Sequence, residues 1–132
     1  MKTYKEIFTY DNLYNGYLKC RRSKRYKTEI IKFELEVGKN LKELEHKLLT
    51  KTYEINEYKK FMIYDPKKRE IQALDFSDRI IQRTFCDNYF MPFLEKHLIY
   101  DNGACMKGKG TDFSRKRLRV FLNKYYKEIT IE

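Results

Sequence analysis

Residues 58–76, YKKFMIYDPKKREIQALDF, constrain the fold most, because two short apolar runs flank a basic cluster. In the first run Phe61 and Ile63 alternate with their neighbours, a period near two that is typical of a β-strand. Pro66 lies between the runs, where its fixed φ angle and missing amide hydrogen favour a turn over a central strand. The stretch therefore predicts a β-hairpin with a positively charged tip.

The segments before the hairpin have the pattern of amphipathic helices. A helix is predicted over 11–27 with Asp11 as its N-cap, and residues 28–37 also have helical character. The next helix is predicted to begin at Asn40 as N-cap, with Glu43 three residues later, where its side chain can accept a hydrogen bond from the Asn40 backbone amide. The predicted buried stripe of this helix is Leu41, Leu44 and Leu48.

Two further helices are predicted after the hairpin. Ser77 is expected to cap the first and Pro92 to end or kink it, and Thr111 or Asp112 is expected to cap the second. The predicted apolar faces are Ile81, Phe85 and Tyr89 in the first helix, and Leu118, Phe121, Leu122 and Tyr125 in the second. We therefore expect an α+β fold, mostly helical with one basic antiparallel hairpin, in a single domain. The expected divisions are N-terminal helices over 1–57, the hairpin over 58–76, and helices with a Gly-Lys-Gly loop over 77–132.

The charge balance indicates an anionic partner. Lys and Arg number 29 against 19 Asp and Glu, which gives a net charge of +10. Nucleic acid is the usual partner of so basic a domain, although a soluble protein with a basic surface has the same composition. Eight cations and a single acid, Asp112, lie between Lys107 and Lys127. This clustering along the last predicted helix favours contact with a chain of phosphates.

The cysteine and hydropathy patterns indicate a reducing compartment. Cys20, Cys86 and Cys105 are odd in number, far apart and without a histidine nearby, so neither a disulfide framework nor a zinc site is expected. No apolar run approaches the roughly 18 residues that a membrane span needs, and no signal-peptide pattern opens the chain. We therefore expect a cytoplasmic protein with no membrane partner, no metal ligands and no cofactor in this chain.

The glycine-rich segment GACMKGKGT, residues 103–111, comes nearest to a catalytic motif. Gly103 and the pair Gly108-Lys109 have the spacing of a P-loop, but Gly110 stands where the magnesium-binding Ser or Thr should be. A P-loop NTPase is one alternative, whereas a Gly-Lys-Gly turn before a helix also offers amides and a cation to a phosphate. No paired carboxylates suggest a two-metal site, so no catalytic residue is predicted.

The order of motifs after residue 58 resembles the N-terminal fingers of bacterial reverse transcriptases of the retron and group II intron type. That pattern is a basic strand with P-K-x-R, a short apolar strand, D-R-I-x-Q, a helix with a proline, and a loop ending in G-K-G-T. The matching residues are Pro66, Lys67, Arg69, Asp78, Arg79, Ile80, Gln82, Pro92, Phe93, Ala104, Cys105, Gly108, Lys109, Gly110 and Thr111. Gly103 and Asp112 depart from the pattern, and the upstream helices match it more loosely.

The resemblance implies a role for each basic element. The hairpin would fold over an incoming deoxynucleotide, and its cations would hold the triphosphate. The implied triphosphate ligands are Lys59 or Lys60 in the first strand, together with Lys68 and Arg69. The helix after Ser77 and the Gly-Lys-Gly loop would lie beside the template, although Arg79 has the alternative of an ion pair within the fingers. The implied contacts to the nucleic-acid backbone are Lys67, Arg79, Lys107, Lys109, Arg115 and Arg117.

The resemblance also implies an RNA-directed DNA polymerase whose catalytic carboxylates lie in a palm. An Asp in a D-I-x-x-F strand and a later aromatic-x-Asp-Asp turn would hold Mg²⁺ in the full-length enzyme, and the sequence reaches KEITIE before either. We therefore expect a fragment with an incomplete palm that binds RNA template, RNA/DNA duplex and deoxynucleotide triphosphates without catalysis. A stand-alone basic RNA-binding module is the alternative, and a homo-oligomer through apolar surface left by the palm stays open.

Overall fold

The computed structural model describes residues 2–129, with side chains described for residues 2–126. The structure is α+β, with helices over most of the chain and a two-stranded antiparallel sheet, which confirms the predicted fold class at this level. The chain forms two compact units, Met1–Phe93 and Leu94–Glu132. Across residues 2–129, none of the helices combines the length and the apolar character needed to cross a membrane.

Helices make up most of the first unit. They are α1 (Tyr4–Ile7), α2 (Tyr10–Arg21), α3 (Thr28–Leu35), α4 (Val37–Leu49) and α5 (Phe76–Phe85). A π-helical turn, Cys86–Phe90, follows α5 and leads into α6 (Met91–Glu95), so the regular helix is interrupted next to Pro92. The strands β1 (Lys59–Ile63) and β2 (Arg69–Ala73) lie between α4 and α5 in the sequence. The second unit contains the long helix α7 (Thr111–Ile129).

Helix α2 starts and ends earlier than the sequence pattern predicts. The side chain of Thr9 caps it by accepting a hydrogen bond from the Asn12 amide at 3.4 Å, so Asp11 lies in the first turn. The prediction of Asp11 as N-cap was wrong because Thr9 is also a capping residue and comes earlier in the chain. The helix ends at Arg21, since Ser23 has a φ of 61° and leaves the right-handed helical path.

Helix α4 begins directly after α3, so Asn40 lies inside the helix and is not its N-cap. The Nδ2 atom of Asn40 donates instead to the carbonyl of Phe33 at 3.0 Å and links the two helices. Glu43 forms an ion pair with Lys47 at 2.7 Å instead of the predicted capping hydrogen bond. The prediction failed because the helical path resumes after Glu36, ahead of the expected start. Leu41, Leu44 and Leu48 are buried, as predicted.

Helix α5 starts earlier and buries a different face from the one predicted. Its N-cap is Asp75, whose carboxylate accepts a hydrogen bond from the Ser77 amide at 3.3 Å, so the prediction of Ser77 was wrong. The buried residues of the helix are Phe76, Asp78, Ile80 and Thr84. The predicted stripe, Ile81, Phe85 and Tyr89, is instead partly or substantially exposed.

Close packing of α2 against α5 explains which face is buried. A Cβ atom on Gly16 would lie 2.3 Å from Oγ1 of Thr84 and 3.1 Å from the carbonyl oxygen of Ile80. Only glycine permits so close an approach. The buried hydroxyl of Thr84 donates to the Ile80 carbonyl at 2.8 Å, so its hydrogen-bonding capacity is used. The contact with α2 therefore selects Ile80 and Thr84 over the apolar side chains next to them.

The core of the first unit lies among α2, α3, α4 and α5. Leu13, Ile30, Leu41 and Ile80 are fully buried, each coming from a different one of these helices. Phe76, in the first turn of α5, meets the ring of Phe33 edge-on with 5.2 Å between centroids. The hairpin is thus followed in the sequence by a helix whose first residue is part of the core.

The predicted hairpin is confirmed. β1 and β2 pair antiparallel, with Lys59 opposite Ala73 and Ile63 opposite Arg69, and Pro66 lies in the turn between them. We call residues 59–73, the two strands and this turn, the ribbon. Every residue of β1 is exposed, whereas Ile71 and Ala73 of β2 are half-buried.

In the second unit an irregular loop precedes α7. The Ser114 amide donates to the Gly110 carbonyl at 2.9 Å, which places Gly110 at the helix start, so neither Thr111 nor Asp112 is the cap. Those predictions were wrong because glycine can also occupy the cap position. The predicted apolar face of α7, Leu118, Phe121, Leu122 and Tyr125, is 38% to 57% exposed. The side chain of Lys127 lies outside the described residues.

Candidate nucleic-acid interface

The segment that leads into the ribbon is fastened to α5 by a buried carboxylate. Asp78, which is only 3% exposed, accepts a hydrogen bond from the Tyr53 hydroxyl at 2.5 Å. The backbone amide and the side-chain amide of Asn56 both donate to its other oxygen at 3.2 Å. Burial, together with the hydrogen bond to Asp78, raises the pKa of Tyr53. The Asp of the S-D-R sequence therefore orders the approach to β1.

Lys59, the first residue of β1, is held by two carboxylates. Its Nζ atom lies 3.0 Å from Oε2 of Glu29 in α3 and 2.9 Å from Oδ1 of Asp75. The other oxygen of Glu29 forms an ion pair with Arg79 of α5. We call these four residues, Glu29, Lys59, Asp75 and Arg79, the clasp. The clasp connects the base of the ribbon to α3 and α5.

The clasp shifts the pKa values of its members. Burial acts to raise the pKa of Glu29, but hydrogen bonds from Lys59 and Arg79 outweigh it and leave that pKa below its ordinary value of 4.5. The pKa of Asp75 is likewise below its ordinary value of 3.8. Burial acts to raise it, but the hydrogen bonds from Lys59 and from the Ser77 amide lower it by more. Hydrogen bonds to Asp75 and Glu29 raise the pKa of Lys59. All three charged forms are therefore favoured by folding.

These pKa shifts predict a loss of stability in acid. A carboxyl whose pKa falls on folding stabilises the native state above its unfolded pKa, and this contribution disappears as pH drops through the folded value. We expect the double variant Glu29→Gln, Asp75→Asn to lose less stability than the natural chain between pH 6 and pH 3, about 1.5 units either side of 4.5. Urea unfolding at several pH values measures this difference. Parallel curves for the two proteins would contradict the prediction.

The cations of the ribbon do not form one cluster. Residues paired across an antiparallel ladder share a face, so Lys59 and Arg69 lie on one face, and Lys60 lies on the other. Lys59 and Arg69 are also at opposite ends of the strand pair, roughly 13 Å apart. Lys67 and Lys68 are exposed in the turn. The structure therefore brings Lys67, Lys68 and Arg69 together at the tip and separates both lysines of β1 from them.

Arg79, expected as a contact to the nucleic-acid backbone, has internal partners. Its guanidinium pairs with Glu29 and lies over the ring of Phe76, 5.6 Å from the centroid. Three quarters of the side chain is covered, at 25% exposure. Its Nε atom is buried and has no hydrogen-bond partner among the described residues. This geometry matches the alternative role, an ion pair that orders the fold.

In the second unit two of the expected phosphate contacts lie over aromatic rings. The ammonium of Lys109 donates to the carbonyl of Tyr100 and lies 4.6 Å and 4.8 Å from the ring centroids of Tyr100 and Phe113. Arg117 pairs with Asp101 and also lies over the Tyr100 ring, at 5.3 Å. Both cations therefore order the loop before α7.

The other two expected contacts of the second unit, Lys107 and Arg115, face solvent. Lys107 is exposed, and the side chain of Arg115 is 75% exposed, with Asp112 at 3.8 Å. The loop around Lys109 follows a turn and not a strand, so the strand that a P-loop requires is missing at this point. A Cβ atom on Gly103 would lie 2.1 Å from Oγ of Ser114, which explains how the departure at Gly103 fits this chain.

Sequence reasoning missed the carboxylates and the neutral side chains that anchor the ribbon. Glu29, Tyr53 and Asn56 gave no local signal, because each has its partner in an element far along the chain. Asp78 was matched only as part of the D-R-I-x-Q pattern, and an acid near a helix start, such as Asp75 or Asp78, ordinarily indicates no more than an interaction with the helix dipole. The nearest signal was the pair of acids, Asp75 and Asp78, on either side of Ser77, directly after the second apolar run of the hairpin.

Comparison with known proteins does not assign a family. No protein-family model matches the chain, and no curated protein matches it. The fold and the geometry define a class only: a mostly helical α+β protein that presents a basic two-stranded ribbon from an ordered base.

Proposed function

We propose that this chain is the fingers portion of an RNA-directed DNA polymerase of the retron and group II intron type. In this role the ribbon binds the template backbone and the triphosphate of an incoming deoxynucleotide, and the basic residues near α7 contact the nucleic acid. The order of the motifs along the chain supports the proposal. Within the described residues no three Asp, Glu, His or Cys side chains come together as metal ligands.

One observation supports the proposal most: the ribbon has an ordered base and an exposed basic tip. The clasp and the Asp78 network connect its base to α3 and α5, whereas Lys60, Lys67, Lys68 and Arg69 are exposed. A fixed array of cations binds phosphates without first losing the conformational entropy of a flexible segment. The three cations at the tip, together with Lys60 nearer the ordered base, are thus suited to a polyanionic ligand.

Nucleic-acid binding is tested by removing the exposed ribbon cations. The variant Lys60→Ala, Lys67→Ala, Lys68→Ala, Arg69→Ala should bind single-stranded RNA and RNA/DNA duplex more weakly. The slope of log affinity against log salt should fall by about 0.7 on single strands for each lost phosphate contact. Fluorescence anisotropy at several salt concentrations measures both quantities.

A matched control removes the same charge elsewhere. Lys5, Lys32, Lys39 and Lys42 are exposed helical lysines outside the ribbon, and their replacement by Ala lowers the net charge equally. We expect this control to retain most of the slope of log affinity against log salt that the natural chain shows. Equal slopes for the natural chain and the ribbon variant would contradict the proposed binding surface.

The polymerase part of the proposal is tested at the source locus. A reading frame that continues into a D-I-x-x-F strand and an aromatic-x-Asp-Asp turn would support it. A stop codon directly after Glu132 would instead favour a stand-alone basic module that binds RNA.

A further inference from the structure

Lys59 differs from the other cations of the ribbon. Among the described residues, it is the ribbon cation whose charged group forms ion pairs, with Glu29 and Asp75 at 3.0 Å and 2.9 Å. The guanidinium of Arg69 donates only to a backbone carbonyl, that of Asp65, at 3.3 Å. The first lysine of β1 is therefore neutralised from within the chain.

The charges of the clasp are balanced. Lys59 and Arg79 contribute two positive charges, and Glu29 and Asp75 contribute two negative charges. A phosphate that approached the ammonium of Lys59 would meet two carboxylates within hydrogen-bond distance of it. Their repulsion would offset the attraction of the lysine, because like charges at such distances oppose binding. Lys59 is thus poorly placed as a phosphate ligand.

The position of Lys59 suits a different role. It is the first residue of β1 and pairs across the ladder with Ala73, the last residue of β2. Asp75 follows shortly after and uses its two oxygens separately, Oδ1 for Lys59 and Oδ2 for the Ser77 amide that starts α5. Both strand ends at the base of the ribbon are therefore connected to the start of α5 and, through Glu29, to α3.

We propose that Lys59 is a positioning residue, which with Glu29 and Asp75 sets the orientation of the ribbon. Contact with phosphates then belongs to the exposed cations Lys60, Lys67, Lys68 and Arg69. The identity of the ligand rests on the proposed function, but the clasp itself does not. Removing the clasp loosens the ribbon, and removing an exposed cation deletes a phosphate contact.

The test compares Lys59→Ala with Lys60→Ala, two adjacent lysines on opposite faces of β1. Hydrogen exchange of the ribbon amides reports order, and the salt slope of RNA binding reports phosphate contacts. We expect Lys59→Ala to lower amide protection by about fivefold, as for loss of an exposed ion pair, with the slope unchanged. Lys60→Ala should leave protection unchanged and lower the slope by about 0.7.

Three further variants separate charge from side-chain packing. Lys59→Arg keeps the positive charge and should restore protection. Asp75→Asn keeps a good N-cap for α5 but loses the ion pair, so the ribbon amides should lose protection while the amides of α5 keep theirs. Glu29→Gln should behave like Asp75→Asn in the ribbon.

The possible results separate the positioning role of Lys59 from the proposed binding of nucleic acid. If Lys59→Ala lowers the salt slope as Lys60→Ala does and leaves protection intact, Lys59 is a phosphate ligand and the inference is overturned. If protection falls in Lys59→Ala but the chain shows no salt-dependent RNA binding, the clasp stands and the proposed function fails. Unchanged protection in all the clasp variants also overturns the inference.

Discussion

Replacement of Ile80 by Ala should lower the free energy of unfolding by about 2–5 kcal/mol. Ile80 is fully buried in α5 where that helix packs against α2. The substitution removes buried methyl and methylene groups and leaves a cavity that the tight contact at Gly16 cannot close. Urea unfolding followed by circular dichroism measures the loss.

Phe85 provides the matched control for Ile80. Its side chain is larger, but it is 38% exposed, because it lies on a face of α5 that α2 does not cover. We expect Phe85→Ala to cost about 1 kcal/mol or less. A larger cost for Phe85→Ala than for Ile80→Ala would mean that α5 is rotated in solution toward the apolar stripe that the sequence pattern favours.

Gly16→Ala should destabilise the protein by about 1–3 kcal/mol, the range for overpacked sites. The sign is opposite to the effect of helix propensity, by which Ala in a helix is favoured over Gly by about 1 kcal/mol. The new methyl group would lie 2.3 Å from Oγ1 of Thr84 and 3.1 Å from the backbone of Ile80, so α2 and α5 would have to separate. Thermal unfolding gives the size and sign of the change.

Two comparisons isolate the steric cause. Gly38→Ala places a methyl group in α4 where the nearest atom is the Tyr10 hydroxyl at 3.9 Å, so it should be neutral or stabilising. Thr84→Ala removes the closest obstacle, and Gly16→Ala should cost less in that background. An equal cost with and without the Thr84 side chain would show that the contact with its hydroxyl is not the cause.

Parts of the fold could be predicted because their local pattern has one interpretation. The ribbon alternates with period two around Pro66, and α4 carries Leu41, Leu44 and Leu48 on one stripe, so both were correct. The face of α5 could not be chosen in this way. That helix has apolar residues on two sides, Phe76 with Ile80 and Ile81 with Phe85, and the choice between them depends on a glycine in α2, which a periodicity argument cannot detect.

In the candidate site, too, the features with a local sequence pattern could be predicted, and those that depend on distant residues could not. The cations of the ribbon were visible as a local cluster, and their exposure at the tip agrees with that prediction. Their distribution over two faces required the strand register. The roles of Lys59 and Arg79 required Glu29, which lies in α3 and is separated from both in the sequence. Long-range ion pairs leave no trace in composition or spacing.

Asp75 bonds both to the ribbon, through Lys59, and to the start of α5, through the Ser77 amide. These two contacts limit where residues can be inserted or deleted in this part of the chain. One carboxylate both starts α5 and holds the first residue of the ribbon, so the link from Ala73 to Asp75 has a fixed length. An inserted residue there would move the carboxylate away from at least one of its two partners. The turn around Pro66 is exposed and holds no residue that links two elements as Asp75 does among the described contacts. Insertions and deletions should accumulate at the tip of the ribbon and be absent from its base.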